Sequence, residues 1–116
     1  MTSSHRELKV WQRAVELSVA LYKLTDNFPK QEIFGLTSQL RRAGVATASN
    51  IAEGYGRGST ADYKRFLAMA RGSNLEAQTQ LVIARELGFG RQHELQIAEG
   101  LSEEVAKMLV KMMNSF

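Results

Sequence analysis

Ala43 to Ala52 reads AGVATASNIA, ten consecutive uncharged and mostly small residues, with Arg41-Arg42 directly before them and Glu53 directly after. Read as a helix, this stretch places Leu36, Leu40, Ala43, Thr47, Asn50 and Gly54 on one seam at alternating steps of four and three, the spacing that keeps one face against a partner helix. Thr47 can return its hydroxyl to the carbonyl one turn earlier and so be buried without a distant partner. The neighbouring strip, Val45, Ala48, Ala52 and Tyr55, is mostly apolar too. A helix that is small or apolar around most of its circumference is covered around most of it. One small bundle offers too little cover, so these four residues are candidates for an interface between copies of the chain. Ten uncharged residues fall short of the ~20 that span a bilayer.

Working outward, the same periodicity repeats. Val10, Ala14, Leu17, Leu21, Leu24 and Phe28 form a seam over about 7–27, ended by Asp26-Asn27-Phe28-Pro29. The second helix covers about 36–55 and stops in the glycine-rich run Gly54 to Gly58. Ser59 is a candidate N-cap, with Asp62 three residues on, for a third helix over about 60–87 whose seam is Tyr63, Leu67, Ala70, Asn74, Ala77, Leu81 and Ala84. Gly88-Phe89 resembles a left-handed cap with its hydrophobic contact. The fourth helix, about 92–114, aligns Leu95, Ala98, Ser102, Val105, Leu109, Met112 and Phe116. Nothing reads as a strand. The expected fold is all-α, a single domain over 1–116 forming an antiparallel up-down four-helix bundle.

The chain has 116 residues, 44% hydrophobic and 23% charged, ordinary proportions for a folded domain. The absence of cysteine removes disulfides, thiolate metal sites and a cysteine nucleophile. MTSSHRELKVW lacks the apolar region of a secretory signal and no stretch reads as transmembrane, so the expectation is a cytoplasmic protein with no membrane partner. Net charge is +3, unevenly spread. From Gly35 to Leu75 six bases face two acids, whereas from Glu76 to Phe116 four bases face six acids. The basic middle points to a polyanionic partner.

The run Gly54 to Ser59 can be read as a phosphate cradle opening the third helix. It follows a helix and lacks a Lys-Ser/Thr pair, so it reads instead as an inter-helix turn, with weak anion affinity at Arg57 and Ser59 as the alternative. Di-iron bundles need Glu-x-x-His pairs, and neither Glu53 nor Glu76 has its histidine. No metal site, cofactor, serine elbow or enzymatic activity is expected. Asn50, Glu53, Arg71 and Glu76 border the small-residue seams. They read as a hydrogen-bonded register network between helices two and three in preference to an acid/base cluster. Arg57, Lys64 and Arg65 are the first candidates for nucleic-acid contact, and Arg41 and Arg42 the second. In a monomer Arg41 and Arg42 lie about 18 Å or more down the rod from the others.

The string RRAGVATASNIAEGYGRGSTADYKRFLAMARGSNLEAQTQL, with the opening ELKVWQRAVELSVALYKLTDNFPKQEIFGLTSQL, resembles the bacterial four-helix proteins encoded in intervening sequences of 23S ribosomal RNA genes. The relatives of that family include the accessory variability determinant of diversity-generating retroelements. Where many members carry proline before the Ser-Asn pair, this chain has Ala48. The resemblance implies a bundle assembled as a cyclic homopentamer, without known catalytic activity. For the retroelement relatives it also implies binding of nucleic acid and of a reverse transcriptase through basic surfaces. A structural or adaptor oligomer with a protein partner is therefore the alternative to a nucleic-acid-binding one.

Overall fold

In the computed structural model, which describes residues 4–116, four helices run where the seams place them: α1, Lys9–Thr25; α2, Leu36–Tyr55; α3, Thr60–Leu87; and α4, Gln92–Asn114. No strand occurs among the described residues. The first helix is shorter than its apolar pattern. Ser4 Oγ accepts from the Arg6 N–H and closes a separate 3-10 turn at His5–Glu7, and Leu8 is extended, so helical geometry starts at Lys9. At the other end Asp26 and Asn27 already belong to a turn.

The connections have local causes. Ser59 caps α3 by accepting from the Asp62 N–H at 3.1 Å. Gly88, at φ +74, ends α3 in a left-handed cap. Phe89 N–H donates to the Ala84 carbonyl at 2.9 Å, the six-to-one bond of a Schellman motif, and its ring packs on Phe28 of the α1–α2 connection at 5.6 Å. The longer α1–α2 connection carries a second 3-10 turn at Lys30–Glu32, and the Glu32 carboxylate accepts from the Leu36 N–H at 3.0 Å, capping α2 from upstream.

Each helix packs on two neighbours, α1 on α2 and α4, and α3 on α2 and α4, giving a square antiparallel bundle 43 × 23 × 21 Å. Gly44 lets α2 approach α1 closely, since a Cβ there would lie 2.8 Å from Leu21 Cδ1 and 3.2 Å from Ser18 Cα. The core has two apolar parts. One is built on Leu17, Leu21, Leu24, Leu40, Leu81 and Leu95, the other on Val10, Ile51, Leu67, Val105 and Leu109. Between them lie three fully buried polar side chains, Thr47, Asn74 and Ser102. Thr47 donates to the Ala43 carbonyl at 2.8 Å, the back-bond its position calls for. Asn74 donates to the Ser102 carbonyl at 2.9 Å and accepts from the Ser102 hydroxyl at 2.8 Å, a closed exchange that leaves neither side chain wanting.

Candidate nucleic-acid interface

The α2–α3 turn is tight because Gly54 lies flat on α3. A Cβ at Gly54 would meet Phe66 Cβ at 2.7 Å and the Tyr63 carbonyl at 3.3 Å. That approach sets the buried Phe66 ring beside the turn, and two guanidiniums fold over it. The Arg57 Cζ is 5.0 Å from the ring centroid and the Arg65 Cζ 4.7 Å. The two cations are therefore no more than about 10 Å apart, although a stack on an aromatic face fixes each of them. Each is ion-paired with an exposed carboxylate of its own segment at long range for such a pair: Arg57 to Glu53 is 3.8 Å and Arg65 to Asp62 is 3.5 Å. Exposed pairs of that kind are worth only about 1 kcal/mol or less, so they hold the guanidiniums weakly. Two guanidinium forks, ordered by a ring and weakly countered, are suited to phosphate oxygens. Lys64 is exposed beside them.

The end of the bundle that holds this pair is the basic one. Antiparallel packing brings Arg6 and Lys9 of the N-terminal region and Lys107 and Lys111 of α4 to the same half as Arg57, Lys64, Arg65 and Arg71. Nine of the fifteen bases, counting Arg13, lie on this side of the Asn74 layer, facing Glu7, Glu53, Asp62, Glu103 and Glu104. Aromatic rings are packed there as well, with Tyr55 edge-on to Tyr63 at 6.1 Å and Tyr63 tilted against Phe116 at 5.3 Å. Burial, and secondarily the neighbouring Tyr55, push the Tyr63 hydroxyl above its usual range.

The five basic candidates do not form one patch. Arg41 Nε donates to Thr25 Oγ1 at 2.8 Å and its Nη2 to Asp26 at 3.0 Å, while its guanidinium lies 4.6 Å over Tyr22. It clamps α1 to α2, about 24 Å along α2 from Arg57. Arg42 is exposed and borders a shallow groove with Tyr22, Ser38 and Val45.

The expected register network of Asn50, Glu53, Arg71 and Glu76 is not assembled. Asn50 donates to the Ala46 carbonyl of its own helix at 2.9 Å, Glu53 turns to Arg57, and Arg71 and Glu76 are exposed. Asn50 is on the seam but is satisfied within its own helix, whereas Glu53, Arg71 and Glu76 sit one helical step off it, which is enough to carry a long side chain into solvent. The side-chain bond between helices two and three is instead Gln80 Nε2 to Gln39 Oε1 at 3.3 Å, and the fully buried inter-helix pair is Asn74–Ser102, which joins α3 to α4 through two residues on the seams themselves. Of the interface candidates, Val45, Ala48 and Ala52 line one groove of about 300 Å³ with Trp11, Val15 and Val19 of α1. Tyr55 is turned toward α3.

Phe66 is the residue that sequence reading missed. The one signal for it was an aromatic directly after Arg65, near a glycine-rich turn that already held Arg57. Among the described residues no group of three or more His, Asp or Glu is placed to hold a metal ion, and no helix is long and apolar enough to cross a membrane.

Comparison with known proteins agrees with the fold. A solved structure from Bacteroides thetaiotaomicron VPI-5482, described as a protein with unknown function from the S23 ribosomal protein family, superposes with a TM-score of 0.79 at 23% identity. The match covers 90% of this chain and 97% of that one. No curated protein matches significantly. The model of the family described as 23S rRNA-intervening sequence protein matches residues 6–111, and the chain therefore belongs to that family.

Proposed function

We propose that this protein is a non-enzymatic cytoplasmic homo-oligomer that binds RNA or DNA without sequence preference, through phosphate contacts from Arg57, Arg65 and Lys64. The observation that carries the reading is the pair of guanidiniums ordered on Phe66 with weak counter-charges, at the more basic end of the bundle. Self-association is supported by exposed apolar side chains on two sides, Val19, Val45 and Ile97 around α1 and Leu75, Val82 and Ile83 on α3. A closed ring repeats the basic end in every copy and turns a modest patch into a strong polyanion surface. The resemblance to the pentameric relatives gives the expected number of copies, five.

Phosphate binding releases condensed counterions, so affinity in a gel-shift titration should fall steeply between low and moderate salt. Replacing Arg57 and Arg65 with glutamine together should lower the logarithmic salt slope by about 2, roughly one per lost contact. Absence of any shift at low salt, or a slope unchanged in the double variant, overturns the reading.

A further inference from the structure

Phe34 is 92% exposed, the most exposed large apolar side chain described, with Ile33 beside it at 48%. It is not on a loose loop. Glu32 N–H donates to the Pro29 carbonyl, Ile33 N–H to Lys30, and Gly35 N–H to Glu32, all within 3.2 Å, and the Glu32 carboxylate pins the start of α2. The α1–α2 connection is a braced tip that holds a phenylalanine out into water.

The same chain carries an open apolar groove on another face. Val15, Val19 and Ala20 of α1 with Ile97 and Leu101 of α4 line an apolar groove of about 350 Å³. Its charged lining is Glu16, Lys23 and Glu94, acidic on balance, and the tip offers Lys30, while the tip's own Glu32 is turned back onto the Leu36 N–H. Tip and groove also lie at the same end of the bundle: Lys23 and Glu94, at the groove's end, belong to the last turn of α1 and the first turn of α4. Rotation about an axis parallel to the bundle preserves height, so one copy's tip can meet the next copy's groove all round a closed ring.

We propose that Phe34 and Ile33 of one copy dock in the α1–α4 groove of a second copy, making the contact heterologous, tip to groove. This rests on the self-association reading above. Phe34, 92% exposed on the tip, and Val19, 48% exposed in the groove, can each be altered without opening the core. In sedimentation velocity, Phe34→Glu and Val19→Lys should each dissociate the wild-type assembly, shifting its midpoint concentration upward by about 30-fold or more, the size of a hot-spot loss. Melting temperature of the dissociated variants, compared at equal concentration with one another, checks that both remain folded.

Mixing the two variants is the decisive step. Phe34→Glu keeps an intact groove and Val19→Lys an intact tip, so together they should form a two-chain species that neither forms alone. A wild type that sediments as a monomer overturns both the self-association reading and the tip. An oligomeric wild type whose assembly is unchanged by Phe34→Glu overturns the tip alone, and assigns Phe34 to some other occupant. Dissociation by Phe34→Glu without an effect of Val19→Lys, or no two-chain species on mixing, also overturns it, in favour of tip-to-tip pairing.

Discussion

On one side of the Asn74–Ser102 layer the core is leucine against leucine, with Ala43, Ala77, Ala84 and Ala98 allowing the helices close. On the other side the buried set is smaller, and Met108, Met112, Met113, Trp11 and Tyr63 close it only in part. The leucine half ends in a Schellman cap, a glutamate-capped turn and the ring pair Phe28–Phe89. The methionine half ends in arginines, lysines and half-covered rings. The difference teaches where apolar burial and charge are placed: one half holds the larger buried apolar set, and the half with the more open rim carries nine of the fifteen bases.

The sharpest way to break that contrast is truncation on each side. Leu21→Ala, fully buried in the leucine half, should cost about 3–5 kcal/mol in denaturant unfolding. Met112→Ala, half-buried at the other rim, should cost about 1 kcal/mol or less. Equal losses would show that the two halves are energetically alike.

A smaller effect probes the boundary between them. Ser102→Ala leaves Asn74 Oδ1 buried without its donor and should cost about 1–3 kcal/mol, whereas adding Asn74→Leu to it should recover much of that loss. If the pair sets register, the double variant should keep its stability yet broaden its NMR resonances, since an apolar layer permits sliding.

The smallest expected effect is alkaline. Tyr63 titrates above the usual tyrosine value when folded, so folding favours its protonated form. Its contribution is complete below pH ~10 and is lost as pH rises through the folded value. Urea midpoints should be level to about pH 9 and then decline, with a shallower decline in Tyr63→Phe.

Much of the architecture was legible because it rests on short-range signals. The seam through Leu36, Leu40, Ala43 and Thr47, the cap at Ser59 and the left-handed Gly88-Phe89 are readable one turn at a time. The site was less legible because it depends on distances between helices. Arg57 and Arg65 were visible as charges, but only the approach at Gly54 brings Phe66 under both. Glu53 shows the reverse error: it is adjacent in sequence to a seam residue, yet about 100° away around the helix, which is the difference between a buried partner and a solvated one.

The square packing also sets an order of events during synthesis. Three of its four seams join helices that follow one another in the chain, but the α1–α4 seam joins Arg13 to Glu104 at 2.9 Å across 91 residues. At ~5–20 residues per second of translation, α1 waits roughly 5–20 s for the helix that covers its last face. Throughout that interval Leu17, Leu21 and Leu24 have only α2, and then α3, to shield them. Loss of the α1–α2 clamp at Arg41 would therefore be felt more by the nascent chain than by the finished bundle.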